Sequence, residues 1–173
     1  MRFQIQDVAF WGHANYEIHL GDLIIPVHNP SLLRQLRGRE RIVFTWPDSG
    51  ECTVTGPNPP SGAIEIISPA GEVWSGLPVD PRLREKRARP AIFVWQMEDQ
   101  TIACEISRSC CRRLFPIALA LTLRQGDGSR LATWFAYRPR RGSLREDVPE
   151  HMKAVVLGMV LSTMYDFGPS TSD

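Results

Sequence analysis

The chain has 173 residues, 43% of them hydrophobic and 23% charged. That suits one globular domain with a real core and excludes a disordered or fibrous protein. A net charge of +1 gives no global pull toward nucleic acid or membrane, although all 20 basic residues except Lys86 and Lys153 are arginine. Arginine suits bidentate recognition of phosphate; plain codon bias is the simpler explanation of the excess.

Read in order, the chain is a series of short strands. Arg2 to Asp7 alternates apolar and polar residues, as a half-buried strand does. Trp11-Gly12-His13 reads as a turn, Tyr16 to Leu20 as a strand, Gly21-Asp22 as a turn and Leu23 to Val27 as a strand. A loop from His28 to Ser31 follows, and Ser31 is placed to cap a short helix through Leu36 that Gly38 ends. Arg41 to Trp46 is β by composition, Pro47-Asp48-Ser49-Gly50 is a turn, and Cys52 to Thr55 completes a hairpin. Gly56 to Gly62 (GPNPPSG) reads as a loop. Ala63 to Ser68 with Glu72 to Trp74, and Ala91 to Glu98 with Gln100 to Ser107, make two more hairpins. Ile117 to Arg124 and Leu131 to Arg138 flank the turn Gly126-Asp127-Gly128, and Arg138 to Arg145 reads as a basic connector. Strands in succession followed by one terminal helix point to a barrel rather than to βαβ units.

The segment Val148 to Phe167 has helical length, with Pro149 in its first turn and Gly168-Pro169 as its stop. No residue between Lys153 and Asp166 is charged, and apolar side chains point in every direction around the axis. Such a helix is buried in protein or inserted in lipid. The uncharged run spans roughly 18 Å against about 30 Å for a hydrocarbon core, so the expectation is a core helix and no transmembrane span. Val156, Leu157, Val160 and Leu161 should be nearly inaccessible. One domain over 1–167 with a polar tail over 168–173 follows.

No nucleotide-binding glycine motif, nucleophile elbow or zinc-protease motif is present, and His13, His19 and His28 lie on separate elements. No enzyme is expected. The start, MRFQIQDVAFWGH, has no apolar h-region of a signal peptide. Cys52, Cys104, Cys110 and Cys111 follow no disulfide framework, so a reducing, cytoplasmic setting is expected. Two stretches stand out. Pro81 to Arg89 carries Arg82, Arg84, Lys86, Arg87 and Arg89 against Glu85 alone, a candidate phosphate or headgroup site whose plain alternative is a solvated loop. Ser107 to Arg113 (SRSCCRR) sets Cys110 and Cys111 among arginines, a candidate lipidation site whose plain alternative is a strand end with incidental thiols. Arg138, Arg140 and Arg141 would add to the basic site if the fold brings them alongside.

MKAVVLGMVLSTMYDF, with the paired hairpins AIEIISPAGEVWSGLPVD and AIFVWQMEDQTIACEISRSCC in the same order, resembles the phospholipid scramblase family, whose fold is similar to the tubby C-terminal domain. The likeness runs from about Tyr16 to Phe167. It implies a barrel of about twelve antiparallel strands closed around the C-terminal helix, membrane association, and calcium-dependent movement of phospholipid between leaflets. The sequence departs from the family in its reduced acidic segment, Arg145-Glu146-Asp147-Val148, in GPNPPSG where a cysteine cluster is expected, and in lacking a proline-rich extension. The resulting expectation is a cytoplasmic barrel, peripheral at the membrane, that binds anionic phospholipid, with no cofactor and with calcium implied by the resemblance alone. The alternative is a soluble regulatory module binding a protein or, less in keeping with the net charge, nucleic acid.

Overall fold

A computed structural model describes residues 1–10, 13–28, 41–58, 63–79, 91–107, 120–135 and 140–166. The strands are β1 (Arg2–Phe10), β2 (His13–Leu20), β3 (Leu23–His28), β4 (Arg41–Trp46), β5 (Gly50–Asn58) and β6 (Ala63–Ile67), then β7 (Val73–Pro78), β8 (Ala91–Met97), β9 (Gln100–Ser107), β10 (Ala120–Gln125), β11 (Arg130–Phe135) and β12 (Arg140–Leu144). The helix α1 (Glu150–Asp166) follows. Each strand pairs antiparallel with its sequence neighbours, and β1 pairs with β12, so the sheet closes into a twelve-stranded barrel. The seam runs from Arg2 opposite Ser143 to Ile5 opposite Arg140. The Met1 ammonium adds to it, donating to the Leu144 carbonyl at 2.8 Å and to Glu146 Oε1 at 3.0 Å.

Alternation decides which face looks inward. Ile25 and Val27 on β3, Ile64 and Ile66 on β6, and Trp74 on β7 are buried, while Glu65, Ser75 and Gln96 face out. An apolar lumen with polar residues on the outer wall is the reverse of a membrane-spanning barrel's usual pattern. Eight strands enclose a lumen that side chains alone can fill; twelve leave room for more. The helix takes that room. Every residue from Lys153 to Thr163 is buried, and Val156, Leu157, Val160 and Leu161 are at 0% exposure, as the uncharged run predicts. Buried hydroxyls are satisfied within the helix: Ser162 Oγ donates to the Met159 carbonyl and Thr163 Oγ1 to that of Val160, each at 2.7 Å.

The helix lies close against β5 and β6 because Gly158 has no side chain. A Cβ there would stand 3.1 Å from Ile66 Cγ2 and 3.3 Å from Val54 Cγ2. Elsewhere the lumen is filled by Trp74, Trp95, Trp134, Phe44 and Phe93, with Phe93 and Trp95 stacked at 5.0 Å. The Trp95 indole lies on Gly76, where a Cβ would come within 2.4 Å of Nε1. The Nε1 atoms of Trp74 and Trp95 have no hydrogen-bond partner among the described residues. Each unpaired donor costs about 1–3 kcal/mol, comparable with the roughly 1.5–3 kcal/mol that burying a large apolar side chain returns.

Three expectations are corrected. Arg138 to Arg145 is not a connector, because Arg140 to Leu144 forms the strand that closes the barrel. The GPNPPSG stretch does not leave the sheet at Gly56. The strand continues to Asn58 through a bulge, with Gly56 at φ 130° and packed against the Ala63 carbonyl. The helix begins at Glu150, and the Pro149 carbonyl accepts the Lys153 N–H from the N-cap position rather than from within the first turn. The helix expected from Ser31 lies outside the described residues.

Candidate functional site

In an antiparallel barrel with neighbour-to-neighbour connections, successive connections fall at opposite ends. The near rim holds residue Met1, the turns after β2, β4, β6, β8 and β10, and residues 145–149, which lead into the helix. None of these connections exceeds five residues. Pro47 to Ser49 turns with Asp48 at φ 59°, and the two-residue turn Glu98-Asp99 has Glu98 at φ 48°. Positive φ is what tight hairpin turns require. At the far rim, β3, β7 and β9 end, and β4, β8 and β10 begin, around three sequences of twelve residues, 29–40, 79–90 and 108–119.

The two rims differ in charge. The near-rim connections contain eight carboxylates and one arginine, Arg145, and each of them contains at least one carboxylate. The sequences joining the far-rim strand ends contain twelve of the 20 basic residues and three acidic ones. A net charge of +1 therefore hides formal charges of about −7 in the near-rim connections and +9 in the sequences that join the far-rim strand ends.

Several carboxylates at or beside the near rim have local partners. Asp147 Oδ1 pairs with Arg145 Nε at 2.6 Å, and Glu146 takes the Met1 ammonium. Glu150 accepts from Lys153 Nζ and, through Oε2, from Trp46 Nε1 at 3.1 Å. The Lys153 hydrogen bond holds the Glu150 carboxyl below its usual range against some desolvation, and the Trp46 bond adds to it. The Ser129 backbone N–H, at 2.8 Å from Oδ1, holds Asp127 low in the same way. A groove of about 610 Å³ runs beside them, lined by Arg130, Ser143, Leu144, Arg145 and Asp147. Among the described residues no group of three or more His, Cys, Asp or Glu converges as a metal site would require.

At the far rim, Arg140 and Arg141 begin β12 and alternate: Arg140 is buried at 9% exposure, and Arg141 faces solvent. Only Arg141 is thus displayed on the outer wall. Leu77 near the end of β7 and Phe135 at the end of β11 are outward-facing, 52% and 53% exposed. Arg82, Arg84, Lys86, Arg87, Arg89, Arg138, Cys110 and Cys111 lie outside the described residues. Cys52 and Cys104 are buried thiols outside any disulfide, and burial, with a smaller push from Glu51, takes the Cys52 pKa up to about 12. They are core residues, not reactive ones. No helix among the described residues is long and apolar enough to cross a membrane.

The polarity was accessible from sequence by one further step. Once the hairpins are assigned in series, summing charge over alternate connections separates the rims. Comparison with models of protein families, with curated proteins and with solved structures finds no match to this chain.

Proposed function

We propose that the chain is a peripheral barrel of the phospholipid scramblase kind that binds anionic phospholipid surfaces. The observation that carries this reading is the charge separation, with twelve basic residues in the sequences joined at the far rim. Each basic residue near an anionic bilayer contributes about 1 kcal/mol, less as salt screens it. Surface binding is favoured over autonomous lipid transport, because the lumen is filled by α1 and by aromatic side chains and offers no path for a headgroup. No bond-making step is involved.

Co-sedimentation with neutral and phosphatidylserine-containing vesicles, with and without calcium, tests the reading. Salt-sensitive binding to anionic vesicles alone, unchanged by calcium, is the expected result. No binding to either, or salt-sensitive binding to duplex DNA in preference to vesicles, would replace it with the soluble regulatory module.

A further inference from the structure

We infer that the outer wall at the closing seam, over β11, β12 and β1, binds a phosphate monoester, with Arg2, Arg130 and Arg141 as its cations and Ser143 as a hydroxyl donor. This does not rest on the anionic-surface reading, which draws on the sequences between far-rim strand ends.

Register builds the site. Ser143 stands opposite Arg2 across the seam and opposite Thr133 on β11. Arg141 and Arg145 lie two residues to either side of Ser143, and all three are exposed, so they share the outer face. Arg145, one residue past the strand, keeps the pairing by donating its N–H to the Leu131 carbonyl at 2.9 Å. Arg2 is thus diagonal to both arginines, a separation of about 7–8 Å that long side chains reach across. Arg130, at the start of β11, is exposed and lines the same groove of about 610 Å³ as Ser143 and Arg145.

The charge on this wall is of one sign. No carboxylate occupies a described outward position on these three strands, where Gln4, Gln6, Thr133 and Phe135 accompany the arginines and Ser143. Two carboxylates lie at the near-rim end of the groove, and both are engaged. Glu146 takes the Met1 ammonium at 3.0 Å, and Asp147 takes Arg145 Nε at 2.6 Å, which leaves the Arg145 Nη donors for another acceptor. Arg2, Arg130 and Arg141 have no ion pair among the described residues. Like charges held at cross-strand spacing repel one another, and a bound dianion relieves that repulsion.

The donors select the ligand. A guanidinium fork takes two phosphate oxygens at once, and several forks with a hydroxyl satisfy more oxygens than a carboxylate offers. A monoester carries about −1.5 to −2 charge at pH 7, which suits three unpaired guanidiniums. The groove falls within the roughly 300–1,000 Å³ of small-ligand sites. Leu131, Ala132 and Leu144 line it beside the charges, a better match to the organic part of an ester than to bare phosphate. A soluble ester and the headgroup of phosphatidic acid share this chemistry.

The test separates the two sources. Calorimetry with glycerol 3-phosphate reads the soluble ester. Co-sedimentation with phosphatidic acid vesicles, against phosphatidylserine vesicles of matched surface charge, reads the headgroup. Salt-sensitive, saturable binding of glycerol 3-phosphate supports the site with a soluble ligand; preference for phosphatidic acid supports it with a lipid one. Arg2→Gln with Arg130→Gln should weaken the binding seen by about tenfold or more and keep the wild-type circular dichroism spectrum. Glu98→Gln with Asp99→Gln in that background restores the net charge and should not restore binding. A second measurement needs no variant. In wild type titrated with glycerol 3-phosphate or short-chain phosphatidic acid, backbone amide resonances of 130–133 and 141–145 should shift. Those of 64–67 on β6, six places from β12 around the barrel, should not. Binding of neither probe, recovery in the charge-restored variant, or amide shifts at 64–67 in place of the seam overturns the site.

Discussion

The two rims are joined by the same strands and the same helix, yet their connections are built differently. The near rim uses connections of five residues or fewer, two of them with non-glycine residues at positive φ, and pairs Glu146 and Asp147 with neighbouring cations. The far rim receives three sequences of twelve residues, rich in arginine. Short turns fix register and stagger, and so belong to the scaffold. Longer connections on a rigid scaffold are where recognition usually resides. The near-rim connections hold the barrel closed; the long basic sequences between far-rim strand ends are the ones the proposed lipid reading draws on.

If the core beneath the two rims is common to both, damage there removes both at once. Leu157 is fully buried at the middle of α1. Leu157→Asp should cost several kcal/mol, enough to unfold a typical domain, because it sets a desolvated carboxylate among apolar side chains. Chemical denaturation monitored by circular dichroism checks this, and a folded variant would mean that the helix can leave the barrel.

Cys52 reports on the same core without a substitution. Its thiol pKa is raised from 9.0 to about 12, so the stability it contributes is complete below pH 9.0 and is lost as pH climbs toward about 12. The full loss is about 4 kcal/mol. Mass spectrometry of peptides after brief alkylation at pH 8.5 should find Cys52 and Cys104 unmodified in the native protein and both labelled in denaturant.

Changes at the far rim should act on binding and leave folding alone. Replacing Arg82, Arg84, Arg87 and Arg89 together by Ser should weaken binding to anionic vesicles by up to about 4 kcal/mol at low salt, and by less as salt is raised. The matched near-rim variant, Glu98→Ser with Asp99→Ser, removes two exposed carboxylates and should bind the same vesicles at least as well as the wild type. Equal losses in the two variants, measured by co-sedimentation, would erase the functional distinction between the rims.

How much of this is legible in the sequence depends on which residues carry each feature. The helix is legible because Ala154 to Leu161 lacks both charge and a polar stripe, and only burial accommodates that. Most strands are legible because Ile64-Glu65-Ile66 and Ile25-Pro26-Val27 alternate cleanly. The strand β12 is not, because Arg140 occupies an inward position and Gly142 leaves a gap in the pattern. Its inward set reads as polar until the closing seam is known. There a Cβ on Gly142 would come within 2.5 Å of both Phe3 Cζ and the Thr133 carbonyl. The full length of β5 is hidden for a related reason, since Gly56-Pro57 reads as a breaker and acts as a bulge. The basic stretch is evident as composition, but its meaning depends on barrel order, which places alternate connections at one end.

The smallest effect gives the sharpest test of whether the rims are independent. Trp46 Nε1 and Lys153 Nζ both donate to Glu150 at the point where the chain enters the helix. These bonds hold the Glu150 carboxyl below its usual pKa of 4.5, with Lys153 the larger cause. A lowered carboxylate pKa contributes stability that is present above 4.5 and is lost as pH falls through the folded value. Glu150 is 63% exposed, so screening keeps the contribution to about 1 kcal/mol or less. Glu150→Gln should lower Tm slightly at neutral pH, and the gap to wild type should shrink once the buffer is well below pH 4. A gap that persists in acid would trace the loss to packing against Trp46 rather than to charge. Glu150 stands at the near rim, so vesicle binding at neutral pH should not change if the basic far-rim sequences alone carry it. A clear change there would mean that the helix entrance transmits to the far rim along α1, and the two ends of the barrel would have to be treated as one coupled device.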